Sequence, residues 1–275
     1  MAGLTTLWQY APRDCQRGNE IMPDAIYPSL KGRAVYVSGG ASGIGAEVVV
    51  HFARQGSRVG FVDLQAAPAQ ALIAQLAADG LPPPRFRQCD LTDAAASQAA
   101  IAELAAELGP FSVLVNNAAN DQRHDWRDVT PDFWDERMAV NLRHQFFAIQ
   151  AIAPMMQAAK AGSIINFGSI SWHLKHGGMP AYTSAKAAVE GLTRSFARDL
   201  GGDNIRVNCI IPGWIITERQ RKLWLTAVAE KDTIAGQCLK QLLLPPDIAR
   251  MVLWLAADDS RMCTGQNWVV DGGWW

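Results

Sequence analysis

The chain has 275 residues, 49% of them apolar and 19% charged, with 25 Lys and Arg against 26 Asp and Glu. This composition can bury a large core and excludes intrinsic disorder. A net charge of −1 leaves no electrostatic footprint for nucleic acid or for an anionic membrane.

In chain order, the first residues, MAGLTTLWQYAPRD, lack the basic-then-apolar order of a signal peptide. Nowhere does an apolar run approach the roughly 20 residues of a membrane span. The five cysteines (Cys15, Cys89, Cys209, Cys238, Cys263) are scattered with no CxxC pair. No disulfide framework and no metal site are expected from them, and a cytoplasmic setting is. Residues 1–29 carry no sustained periodicity and are read as an arm, with one domain over residues 30–275. Apolar runs at Ala34–Val37, Arg58–Val62, Arg85–Cys89, Val113–Val115, Ser163–Phe167, Ile205–Ile211 and Trp268–Val270 are expected strands. Between them, segments such as Ile44–Gln55, Ala67–Asp79 and Ala94–Leu108 have polar residues at helical spacing. Strands alternating with helices of this length predict an α/β fold, a doubly wound parallel sheet with helices on both faces. Residues 214–241 are helical in pattern but interrupt that rhythm, as a lid over a ligand would.

Ser38-Gly39-Gly40-Ala41-Ser42-Gly43-Ile44-Gly45 follows the first strand and opens the first helix. Gly39 permits a tight turn, Gly43 a close backbone approach to a pyrophosphate, and Gly45 close helix–strand packing. The helix start at Ser42, Gly43 and Ile44 then presents free N–H groups and a positive dipole end. Asp63 ends the second strand, 18 residues beyond Gly45, where a carboxylate accepts ribose hydroxyls and repels a 2′-phosphate. NAD is therefore expected, with NADP as the weaker cofactor. Asp90, with Leu91 beside it, ends the third strand, where the carboxylate can cap the next helix, touch adenine or do both. Asn116-Asn117-Ala118 ends the fourth; its two asparagines are suited to satisfying loop backbone, and Asn117 and Ala118 are also counted at the cofactor.

Tyr182 and Lys186 lie four apart at the start of a helical stretch, on one helical face. A free phenol, with a pKa of about 10, is a poor base at neutral pH. A neighbouring ammonium and a positively charged nicotinamide both favour the phenolate. Tyr182 can then take a hydroxyl proton while hydride leaves the same carbon. Ser169 ends the preceding strand.

With the glycine turn, Ser169 and the Tyr182/Lys186 pair in register, the chain resembles the short-chain dehydrogenase/reductase family over about residues 30–275. The resemblance implies a single-domain, Rossmann-like, NAD(P)-dependent enzyme assembled as a dimer or tetramer, with a homotetramer expected. It implies that Ser169 orients the substrate oxygen, that Tyr182 is the acid/base, and that Lys186 binds the nicotinamide ribose. Asn141 matches the helix asparagine of the family's proton relay, and Pro212, Gly213, Ile215 and Thr217 match the stretch that packs on the nicotinamide. Ser38 stands where the family usually has threonine and Ala119 where it usually has glycine. Ile26–Gly32, Arg123-His124, Asn166–Leu174, Gln237–Lys240 and Cys263–Gly265 resemble the family's bacterial aldose 1-dehydrogenases of D-xylose and L-arabinose type. That likeness implies oxidation of an aldose at its anomeric carbon to the aldonolactone.

The loops around the expected nicotinamide carry Asn120, Asp121, Arg123, His124, Ser171, Trp172, His173, Trp214, Gln220 and Arg221. Hydrogen-bonding groups mixed with aromatic faces suit a small polyhydroxylated substrate better than a fatty-acyl or steroid one. Asn120, Arg123, His124, Ser171, Trp172 and Trp214 are the candidate sugar residues, although Arg123-His124 also reads as an exposed loop pair and Trp172 as plain packing. His173 and His176 lack an evident third ligand, so a metal is not expected, and His51 and His144 read as structural. Trp274-Trp275 ends the chain, where two indoles are hard to bury in their own core; they are expected at a subunit contact. The rivals are a reductase of another carbonyl and a catalytically silent NAD-binding protein.

Overall fold

The computed structural model describes residues 25–275; most of the expected N-terminal arm and Cys15 lie outside them. Seven strands form one parallel sheet: β1 (Ala34–Ser38), β2 (Arg58–Asp63), β3 (Arg85–Gln88), β4 (Val113–Asn116), β5 (Gly162–Phe167), β6 (Ile205–Pro212) and β7 (Asn267–Val270). Their order is β3-β2-β1-β4-β5-β6-β7. All seven expected strands are present, within a residue or two of their expected limits.

The apolar runs are unbroken because both faces of the sheet are covered. Along β1, Val35 and Val37 enter one core while Ala34 and Tyr36 enter the other. On the first face lie α1 (Gly43–Arg54), α2 (Ala66–Ala78) and α9 (Pro245–Ala256), supplying Phe52, Leu76 and Leu253. On the second lie α3 (Ala94–Leu108), α5 (His144–Ala159) and α6 (Pro180–Leu200), supplying Leu104, Ile152 and Leu200. The short α4 (Pro131–Met138) leads into α5 through a π turn, Ala139–Arg143.

The chain leaves β1 toward β2 and β3, then returns to place β4 on the other side of β1, in register Ser38↔Asn116. That reversal opens a crevice at the carboxyl ends of β1 and β4, the place where such sheets bind ligands. The expected lid resolves into two short helices, α7 (Glu218–Leu223) and α8 (Ala227–Gly236). Thr217 and Thr226 cap them through their hydroxyls. Contacts with the sheet layer extend to the end of the expected arm: Tyr27 N donates to Gln55 Oε1 at 2.8 Å, and Ser57 Oγ to the carbonyl of the fully buried Leu30 at 2.8 Å.

Candidate active site

The glycine turn is built to bring backbone close to something. A Cβ on Gly45 would lie 1.8 Å from the carbonyl oxygen of Gly39, so helix and strand could not approach as they do. Gly39 itself has φ +68° and presses against Ala118. Asn117 Nδ2 donates to the carbonyls of Ser38 and Gly39 (3.1 and 3.0 Å), and Ser38 Oγ accepts the N–H groups of Asn117 and Ala118, both at 3.1 Å. The side chain of Asn117 shapes the turn, and Asn116 donates to Asn166 Oδ1 at 2.9 Å behind it.

At the head of α1, Ser42 is exposed and makes no side-chain cap bond, so among the described residues the first-turn N–H groups have no side-chain acceptor. The Asp63 carboxylate is buried and accepts from the Ala41 N–H at 2.9 Å and the Gln65 N–H at 3.0 Å. It pins the turn and still has lone pairs to offer. Leu64 and Gln65 follow it, with no cation. These residues fit a dinucleotide: a close-approach cradle, an uncapped helix start for phosphate, and a carboxylate for a ribose. Asp90 folds back on Thr92 (2.9 Å to N–H), and α3 is capped instead by Asp93, so the capping alternative for Asp90 does not hold. The Leu91 side chain is buried in the core, which leaves only its main chain for a cofactor.

Ser169 follows β5, and Tyr182 and Lys186 stand one turn apart on α6, which Pro180 opens at its first position. Lys186 is buried and donates to the Phe167 carbonyl at 2.7 Å, which places its ammonium 5.8 Å from the Tyr182 ring centroid. Burial lowers its pKa to about 8. Ser169 Oγ donates to Ser171 Oγ at 2.9 Å, so Ser171 acts by orienting Ser169. Burial first, then the Asp121 carboxylate, push the Tyr182 phenol up to about 12, against the lowering pull of its Ser169 hydrogen bond and of the Arg123 and Arg219 charges. The sequence reading expected a lowered phenol. The protein's own groups do the reverse, because desolvation of the phenolate outweighs the nearby cations.

Asn141 lies in the π turn, where its side chain accepts from Asn120 N–H at 2.8 Å and donates to the Asn120 and Arg137 carbonyls. It thereby ties α4–α5 to the loop after β4. His144 is structural, as read: Nε2 lies 3.0 Å from the Ala118 carbonyl, and burial, then the Lys186 charge, lower its pKa to about 3.

The candidate sugar residues divide. Arg123 donates to Met179 Sδ and lies over the Trp224 ring of the lid at 5.5 Å. Trp214 Nε1 donates to Gln220 Oε1 at 2.8 Å. Asn120 faces Asn141. His124 has both ring nitrogens engaged, with the Gln122 carbonyl and the Ala181 N–H (3.0 and 3.4 Å), so it positions the start of α6 rather than a sugar. Trp172 donates to Glu190 Oε1 at 3.0 Å, which favours the packing alternative. Glu190, which the sequence reading did not single out, also accepts from His173 Nε2 and Asn267 Nδ2; nothing in local sequence marks it. The terminal tryptophans find partners in their own chain. Trp275 stacks on His173 at 3.5 Å between centroids, with Trp172 on the other neighbour side of the imidazole at 3.6 Å, and Trp274 covers Gly236. Gly213 touches Asp271, Ile215 is buried and bridges Leu243, and Thr217 abuts Gly43. The lid root therefore reaches the glycine turn.

Residues 39–275 match a protein family described as Enoyl-(Acyl carrier protein) reductase. The chain is 49% identical over 253 residues to a D-xylose 1-dehydrogenase of Caulobacter vibrioides, spanning 92% of this chain and 100% of that one. It is also 49% identical over 252 residues to a probable galactose dehydrogenase of Rhizobium meliloti, spanning 92% and 98%. Among solved structures it resembles a blue fluorescent protein from a metagenomic library, in complex with NADPH, with TM-score 0.80, 35% identity, and 90% and 99% of the two chains covered.

Proposed function

The chain belongs to the short-chain dehydrogenase/reductase family, and we propose that it is an aldose 1-dehydrogenase that prefers NAD to NADP. The observation that carries this reading is the meeting of Ser169, Tyr182 and Lys186 beside a dinucleotide cradle, with Asp121 and Arg123 acting on the phenol by charge and Gln220 and Trp214 joined to Asp121 through hydrogen bonds. Such polar and aromatic groups suit hydroxyls and C–H faces of a sugar ring. Two relatives covered almost end to end are named for sugars.

A bound nicotinamide dinucleotide supplies the acceptor for the hydride that leaves C1. Gly39, Gly43 and Gly45, the main chain of Ala118 and Leu91, and the start of α1 at Ser42 and Ile44 would hold it. Pro212, Gly213, Ile215 and Thr217 would line its nicotinamide end, with Asp63 at the adenosine ribose. Ser169 donates to the anomeric oxygen and positions it. Tyr182 accepts the C1 hydroxyl proton as the C–O bond becomes a carbonyl, giving the aldonolactone. Lys186 holds a positive charge below the phenol, and Asn141 braces the loop that faces it; positioning and charge stabilisation supply most of the acceleration. Asp63, with no cation after it, supports the NAD preference by repelling a 2′-phosphate.

Initial rates with D-xylose, L-arabinose, D-galactose and L-fucose, each with NAD and NADP, test the reading. Turnover of at least one aldose with NAD is expected. Turnover of 3-oxoacyl thioesters with none of any aldose would overturn it in favour of a carbonyl reductase. We also infer a homotetramer, supported by the exposed Phe146 on α5 beside Phe147 and Phe196; sedimentation equilibrium measures it.

A further inference from the structure

The loop after β4 and the lid are fastened to each other by three contacts. Asp121 Oδ2 accepts from Gln220 Nε2 at 2.8 Å, and Asp121 Oδ1 accepts from Arg219 Nη1. Two residues on, the Arg123 guanidinium lies over the Trp224 ring just beyond α7. Gln220 is buried, and its amide oxygen in turn receives the Trp214 indole N–H. The other end of α7 is anchored as well. Thr217 caps it and rests against Gly43 of the glycine turn. One short helix thus runs from the cofactor cradle to the loop that borders Tyr182.

Burial works against the Asp121 carboxylate, yet the hydrogen bonds from Gln220 and Arg219 and the charges of Arg219 and Arg123 hold its pKa below the usual value. It is therefore an anion at neutral pH. The charged and polar groups facing the Tyr182 phenol come from four elements: Asp121 and Arg123 from the loop after β4, Ser169 from the loop after β5, Lys186 from α6 and Arg219 from α7. Asp121 is the one anion among them.

Resting on the dehydrogenase reading above, we propose that Asp121 is a positioning residue: it latches α7 closed beside the Ser169–Tyr182 pair and holds a negative charge within electrostatic reach of the phenol. The two halves of this role separate by substitution. Removing the anion stabilises the phenolate, since the Arg123 and Arg219 charges are then uncompensated. Removing Arg219 does the opposite, because Asp121 then acts on the phenol with less compensation. Gln220 is neutral and contributes only to the latch.

The test is the pH dependence of kcat/KM for aldose oxidation in three variants, with circular dichroism and dinucleotide affinity as checks of folding. In Asp121→Asn the acid limb should move down by roughly half to one pH unit, and in Arg219→Met it should move up by roughly the same amount. In Gln220→Leu the limb should stay in place while the aldose KM rises about tenfold. Limbs that superimpose in the first two variants, or shift the same way, would overturn the proposal, as would an unchanged aldose KM in Gln220→Leu. Wild-type protein that oxidises no aldose defeats the dehydrogenase reading instead. The charge effect of Asp121 is then judged by the ultraviolet difference titration of Tyr182 against Tyr182→Phe, where the same opposed shifts support the proposal and their absence sinks it.

Discussion

At the scale of single residues, the proposed chemistry depends on a phenol that the folded chain alone keeps protonated. Burial and Asp121 raise Tyr182 to about 12, so proton abstraction requires further positive charge or alkaline conditions. Sugar oxidation should accordingly quicken as pH rises from neutral, because more of the phenol is ionised; a rate falling monotonically over that range would contradict Tyr182 as the base. Tyr182→Phe should lower kcat by about 10³-fold or more while dinucleotide affinity, measured by tryptophan fluorescence, stays near that of the wild type. Asp63→Ala should narrow the preference for NAD by about tenfold or more, since removing the carboxylate removes its repulsion of a 2′-phosphate. Equal NAD and NADP affinities in the unmodified protein would show that Asp63 serves the turn alone. Gly45→Ala should abolish dinucleotide binding, because its methyl would fall 1.8 Å from the Gly39 carbonyl oxygen, a distance no small adjustment relieves.

At the scale of elements, α6 supplies more than Tyr182 and Lys186. Two turns beyond Tyr182, Glu190 gathers Trp172 and His173 from the loop after β5 and Asn267 from β7. The final residue, Trp275, lies on the outer side of that group, stacked on His173. The cluster fixes the loop that carries Ser169 against the helix that carries its partners. Glu190→Leu leaves three donors without their acceptor, at a cost of about 1–3 kcal/mol. By scanning calorimetry that should lower Tm by roughly 2–6 °C for a domain of this size. Removing Trp274 and Trp275 should raise the aldose KM more than the dinucleotide KM, because Trp274 covers Gly236 of the lid and Trp275 covers the Ser169 loop. Equal effects on both constants would assign the pair to general stability. The sequence reading placed these indoles at a neighbour, as their terminal position suggested. Within the chain, Gly272 and Gly273, both at positive φ, turn the tail back over its own lid and leave Trp275 56% exposed.

At the scale of the whole molecule, the sequence by itself determined the sheet, its parallel sense, the close-packed glycine turn at the head of α1 and the placing of Tyr182 and Lys186 one turn apart on α6. Those features are local. Unbroken apolar runs of β length, glycines at fixed offsets and residues four apart on a helix are one-dimensional signals of backbone geometry. Only the tertiary structure decided which loop residues face the crevice. His124 and Trp172 look like sugar residues by type and position, yet each meets a protein partner, Ala181 at 57 residues along the chain and Glu190 at 18. The π turn at Asn141 widens a helix by one residue without altering composition, so periodicity does not register it. Asp121 and Gln220 are 99 residues apart, and each alone is an ordinary polar side chain. Their pairing exists because the chain crosses the sheet between β4 and β5, runs through β6, and returns over the same carboxyl edge. Contacts of that kind are set by packing in three dimensions, and they decide the shape and the charge of the pocket.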